Sequence, residues 1–120
     1  MSIVHYPTNK PFPFSDAVQV KGFIFLSGHV AMTSEGEPLY ESVTQQTRHI
    51  MQSIEDTLAR AHATLESIFK VQVWLSSMDH FAEFNRAYSA FFSDSLPART
   101  VVTSRLAFDL DVEIEVQAVA

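Results

Sequence analysis

From Val43 to Leu65 the residues Val43, Thr47, Ile50, Ile54, Leu58, Ala61 and Leu65 return at spacings of three and four. That period lines one side of an α-helix. No other feature constrains the fold as strongly, because a stripe this long needs an apolar surface to lie on. Ser42 with Gln45 three residues later forms a capping box, each side chain able to bond the other's free backbone N–H. The helix therefore starts at Ser42, and Arg48, Glu55 and Arg60 fall off its apolar side.

Both flanks of the stripe have a different period, and they supply the surface. "AVQV" and "FIFLSGHV" on either side of Lys21-Gly22 read as two short strands joined by a tight turn. "TSEGEP" is a loop, with Gly36 and Pro38 among small polar residues. "SIFKVQVWL" is rich in β-branched and aromatic residues and reads as a buried strand. Ser76, Ser77 and Asp79 offer N-caps to a second helix with the stripe Phe81, Phe84, Tyr88 and Phe91, which Pro97 prevents from continuing. "ARTVVTSRLA" and "DVEIEVQAVA" close the chain as two further strands. Residues 1–13 contain Pro7, Pro11 and Pro13 and are expected to be an extended lead-in, neither helix nor inner strand.

The order is thus β-β-α-β-α-β-β, an α+β fold with one sheet and two helices on one of its faces. Two helices leave the other face uncovered. "FIFL" and "VQVWL" do not alternate cleanly, so apolar side chains are expected on that face as well. The least costly cover is a second copy of the same chain. A homo-oligomer follows from this argument alone.

Composition narrows the function. The 120 residues form a single domain, and their net charge of −6 disfavours a phosphate-backbone binder. The 8 Lys and Arg residues are scattered, so nucleic acid is not an expected partner. The absence of cysteine excludes disulfides, thiolate metal sites and a cysteine nucleophile. No run approaches the ~20 apolar residues of a membrane span, and a cytoplasmic protein of a reducing compartment is expected. The three glycines form no phosphate-cradling loop, and the five histidines show no metal-ligand spacing. Neither cofactor nor metal is therefore expected, and the nucleophile, if there is one, is water.

A few residues remain for chemistry. Arg99 follows Pro97-Ala98 at the mouth of an apolar run. A guanidinium is costly to desolvate, so it must meet solvent, a fixed carboxylate, or an anion that arrives as ligand. In "DVEIEVQAVA", Glu113 and Glu115 share one face of a strand, about 7 Å apart from its ~3.4 Å rise per residue. They could simply face solvent or pair with Arg99; alternatively one glutamate borders a cavity, where it holds a water or accepts a proton. Ser27-Gly28-His29 ends an inner strand, and Gly28 permits close approach. His29 is either structural or an acid–base group. Arg105 is expected to be exposed. Asn85, amid the aromatic stripe, needs hydrogen-bond partners, which local backbone is expected to supply.

Taken together, "PFSDAV", "FIFLSGHV", "QTRHIMQSIEDTL", "VQVWLSSMDHFAEFNRAYSAFF", "PARTVV" and "VEIEVQAVA" resemble the Rid (reactive intermediate deaminase), or YjgF-like, family over about residues 13–120. The resemblance implies a chorismate-mutase-like fold, a homotrimer with sites in the clefts between subunits, and no cofactor. It also implies hydrolysis of 2-imino and enamine acids such as 2-aminoacrylate to 2-keto acids and ammonia. On the matching positions, Arg99 would grip the substrate carboxylate and Glu113 would hold the attacking water. Ser27 and Gly28 would line the cleft, and Asn85 stands where the family commonly has asparagine. Phe14 replaces the tyrosine of the family's G-P-Y, His29 its usual glutamine, and Thr100-Val101 its serine and cysteine. Phe14, His29 and Val101 are therefore expected to set the size of the cleft. The other reading is a non-catalytic trimer that binds small carboxylates or regulates another enzyme.

Overall fold

The computed structural model describes residues 2–120. One seven-stranded mixed sheet carries two helices. The strands are β1 (Val4–Pro7), β2 (Ser15–Val20), β3 (Phe23–Leu26), β4 (His29–Val30), β5 (Ile68–Leu75), β6 (Ala98–Thr103) and β7 (Val112–Val119). Their order across the sheet is β1-β2-β3-β7-β5-β6, with β4 also on β7. Among the described residues only β5 and β6 run parallel. A parallel pair needs a crossover, and the helix α2 (Phe81–Ser89) lies in that connection.

The long stripe forms α1 (Val43–Arg60). Ile50, Met51, Ile54 and Leu58 of α1 and Phe84 of α2 are wholly buried, along with Val71, Val73 and Leu75 of β5 and Ile114 of β7. Leu65 leaves the helix for a short 3-10 turn, because Ala61 ends α1 and His62 takes a left-handed φ of 60°. Half of the capping box forms: the Gln45 N–H donates to Ser42 Oγ at 3.1 Å. Glu83 of α2 serves the same end of α1, where its Oε2 accepts from Thr44 N at 2.9 Å and Thr44 Oγ1 at 2.8 Å. Those bonds hold its carboxyl below the ordinary value. Ser77 caps a 3-10 turn ahead of α2 by accepting from Asp79 N.

Two strand expectations need correction. The lead-in, expected to be neither helix nor inner strand, contributes an edge strand, β1, paired antiparallel with β2 and ending at Pro7, where an edge tolerates the missing N–H. "FIFLSGHV" divides into β3 and β4, broken at Ser27-Gly28. "VQVWL" does alternate; the irregularity lies upstream, in a bulge between Ile68 and Lys70. A bulge adds a residue to one strand, and this one leaves Phe69 exposed against Phe23, their ring centroids 6.1 Å apart. Phe23, Phe25, Phe69 and Val119 are all exposed. The face opposite the helices is thus partly apolar, as expected.

Candidate functional site

Glu113 and its surroundings are fixed from the start of β7. The Asp111 N–H donates to Oε1 of the buried Gln46 at 3.0 Å, and Ser76 Oγ donates to Asp111 Oδ1 at 2.7 Å. Gln46 Nε2 in turn donates to the Glu41 carbonyl at 2.8 Å. This network pins the strand two residues before Glu113. Gln46 and Asp111 were not legible as positioning residues, since Gln46 sits one place off the stripe and the two lie 65 residues apart.

Glu113 faces Trp74 across the sheet, on the side away from the helices. Its carboxylate lies against Gly28, where a Cβ would overlap Oε2. Glycine is therefore required at the break between β3 and β4. Burial, reinforced by the negative charge of Glu115, holds the Glu113 carboxyl above its ordinary value. A carboxyl of this kind parts with its proton late and takes one back readily, which suits an acid–base role.

Next to Glu113 opens a cavity of about 250 Å³. Phe14, Gly28, His29 and Glu113 all line it, so four residues singled out from the sequence meet there. Phe12, which with Phe14 reads from the sequence as an anchor of the lead-in, and Met32 and Phe108, which sequence reasoning passed over, complete an apolar wall. Ser27, expected beside Gly28 in the lining, is not part of it: its N–H donates to the Asp16 carbonyl at 3.0 Å and its hydroxyl to the Ser15 carbonyl at 2.6 Å. The two bonds hold the strand break in place.

His29 is a strut. Its side chain is buried, and Nδ1 donates to the Ser27 carbonyl at 2.7 Å. Nε2 lies 3.5 Å from Thr57 Oγ1. Desolvation pushes its pKa below 6.5, so the ring is neutral at pH 7.

Arg99 occupies a different place. On β6 it registers with Val71, on the helix-covered face, whereas Glu113 is on the opposite face. Its guanidinium carbon lies 5.0 Å from the Tyr88 ring centroid, 5.7 Å from Phe84 and 5.8 Å from Phe81. Three aromatic rings thus hold the cation by its π contacts. No carboxylate among the described residues comes within ion-pair distance of it. An ion pair with a glutamate of the same chain, one of the three sequence readings, does not form. Arg105, by contrast, is exposed, as expected.

The wall of Arg99 also carries two unpaired polar atoms. Asn85 Oδ1 and the Tyr88 hydroxyl are buried with no hydrogen-bond partner. Local backbone was expected to satisfy Asn85; it does not, because helical carbonyls and N–H groups are already engaged with one another. Burial raises the Tyr88 hydroxyl to about 12, against a smaller opposing effect of Arg99. The aromatic stripe read as plain core therefore supplies the cradle of Arg99. Val101, two residues on, is half-buried at the register of Val73 and packs against the core.

Relatives carry the same arrangement of elements. A RutC family protein of Pyrococcus abyssi is 38% identical over 105 residues, covering 86% of this chain and 83% of that protein. Protein MMF1, mitochondrial, of Saccharomyces cerevisiae is 34% identical over 107 residues, 88% of this chain and 74% of its own. A crystal structure of yeast Mmf1 superposes with a TM-score of 0.92 at 31% identity over 98% of both chains. A Yersinia pestis protein of unknown function, YyfA of the conserved Rid family, gives 0.91 at 26% identity over 99% of this chain and 100% of its own. The family model described as Endoribonuclease L-PSP matches residues 8–120. With its two helices on a mixed seven-stranded sheet and a match over nearly its whole length, the chain belongs to this family, the YjgF/Rid superfamily.

Proposed function

We propose that this protein hydrolyses reactive 2-imino acids and their enamine tautomers to 2-keto acids and ammonia, in clefts between the copies of a homotrimer. The observation that carries this reading is the Arg99 fork, held by aromatic rings and left without a protein carboxylate. A planar guanidinium is suited to bidentate recognition of a carboxylate. Because Arg99 and Glu113 lie on opposite faces of one sheet, a cleft that uses both draws one from each of two copies.

The chemistry asks little of the protein. An enamine first takes a proton at C3 and becomes the imine. The imine reacts in its N-protonated form, having taken that proton from solvent. Water held by the Glu113 carboxylate attacks C2, one water proton passes to Glu113, and the C=N pair moves onto nitrogen to leave a neutral amino alcohol. The carboxyl then gives that proton to nitrogen, and the C–N bond breaks as ammonia leaves. The hydroxyl oxygen forms the C=O bond, its own proton passing to the Glu113 carboxylate and back to solvent. Water is the only co-reactant. Fixing the substrate and water removes several kcal/mol of barrier, and a positioned acid–base group contributes about 10²–10⁴-fold.

The test generates 2-iminopropanoate in situ with an amino-acid oxidase and follows keto-acid release. Wild type accelerates release over background, and Arg99→Ala returns it to background. If wild type is no faster than background across several imines, the hydrolytic reading falls and the carboxylate-binding one takes its place. The word endoribonuclease in the family description does not alter the proposal, since a chain of net charge −6 with scattered basic residues is poorly suited to RNA. No helix among the described residues is long and apolar enough to cross a membrane. A cytoplasmic setting is part of this proposal, in place of the mitochondrial one that the yeast relative's name records.

A further inference from the structure

The cavity beside Glu113 is more apolar than the hydrolysis of a small imine requires. Its wall is a run of rings: Phe12 stacks on Phe14 with centroids 6.4 Å apart, and Phe108 tilts against Phe12 at 6.0 Å. Phe14 and Phe108 remain 40% and 46% exposed at the mouth. A chain that gains nothing from these rings would be expected to carry polar side chains there, because exposed apolar surface grouped in one place marks an interaction site.

The backbone holds this wall at some cost. Phe108 has φ 59° and Asp109 φ 56°, both in the left-handed region. That region is uncommon for residues with a Cβ and a marked outlier for a bulky one. Such conformations persist where the surroundings over-determine them, and they gather at ligand clamps. Here the Tyr40 hydroxyl donates to the Phe108 carbonyl at 2.9 Å and fixes the turn. At Gly36, with φ 88°, an added Cβ would come 2.8 Å from Pro11 and 3.1 Å from the Phe12 ring, so only glycine lets that arm pack down. Three separate segments are thus held against one another to make a single apolar pocket.

The polar groups keep to its edges. Glu113 stands at one side. Lys10 and Asp16 lie on the border with a second, polar cavity of about 320 Å³, and Asp16 is already paired with Arg60 at 2.8 Å.

Resting on the hydrolytic reading above, we infer that the substrate is a 2-imino acid with a large apolar side chain, aromatic or branched, seated among Phe12, Phe14, Met32 and Phe108. A methyl group would leave most of the 250 Å³ to water. A phenyl or isobutyl group displaces that water and covers the exposed rings.

The experiment compares imines made in situ from phenylalanine, leucine and alanine, and separately measures binding of phenylpyruvate and pyruvate by calorimetry. Each added methylene in an apolar pocket is worth roughly 10-fold or more in discrimination. The phenylalanine- and leucine-derived imines are therefore expected to exceed the alanine-derived one by at least about 10-fold in kcat/KM. Phenylpyruvate is expected to bind more tightly than pyruvate by a similar ratio. Phe108→Gly removes a ring from the wall while suiting the positive φ, so it melts no lower than wild type, yet both ratios fall towards one. Phe108→Leu restores part of them. Equal binding of the two keto acids by wild type, or ratios unmoved in both Phe108→Gly and Phe14→Ala, would overturn the inference. A chain that hydrolyses no imine but still prefers phenylpyruvate, and loses that preference in Phe108→Gly, retains the apolar pocket and refutes the hydrolase.

Discussion

Glu113 is placed where a carboxylate is costly to ionise, half-buried against Gly28 and on the same strand face as Glu115. Because its folded pKa lies above 4.5, the native state holds a proton over the window between 4.5 and that raised value, where the unfolded chain has released it. The stabilisation from this proton is complete below 4.5 and is lost as pH rises through the folded pKa. Glu113→Gln removes an ionisation that disfavours folding. At pH 7 the variant should melt a few degrees above wild type, and at pH 4 the two should coincide; denaturation at both pH values measures this. Activity should meanwhile fall by about 10²–10⁴-fold, the usual contribution of a positioned acid–base group. Equal melting at pH 7 would mean that the carboxylate bears no burden in the fold. The neighbouring His29 is the opposite case, a histidine kept neutral by burial and used to brace the Ser27 carbonyl.

Among the elements, α1 carries most of the assembly. Its buried residues Ile50, Ile54 and Leu58 lie over the centre of the sheet, and its start is tied to α2 through Glu83. Ile54 is fully buried, and truncating it removes apolar area and leaves a cavity between helix and sheet. Ile54→Ala should therefore cost about 2–5 kcal/mol in chemical denaturation. A cost below that range would indicate that α1 can settle onto the sheet. The placement of α1 and α2 was readable from their stripes, because a period of 3.6 residues marks which side of a helix is apolar. The role of α2 was not, since an aromatic stripe looks the same whether it fills a core or cradles a cation.

At the scale of the molecule, the proposal requires two copies to complete each cleft. The exposed face with Phe23, Phe25 and Phe69 offers them a common surface. Complementation tests this directly. Arg99→Ala and Glu113→Gln are each expected to be inactive as pure oligomers. Unfolded together in equal amounts and refolded, they should recover about one quarter of wild-type activity, the share of clefts in which both wild-type residues meet. No recovery, with mixed oligomers demonstrated by mass, would show that the two residues do not act in one cleft.

By itself the sequence determined the two helices, the strands that flank them, the helix-covered sheet and the candidates Arg99 and Glu113, because each is written in local spacing or in a charge set among apolar neighbours. Only the tertiary structure decided that these two residues lie on opposite faces, through the β5–β6 and β5–β7 registers. It alone brought Phe12, Phe14 and Phe108 into one wall from segments nearly a hundred residues apart. Side-chain facing follows from register, and register is set by pairing between distant strands. No local period carries that information.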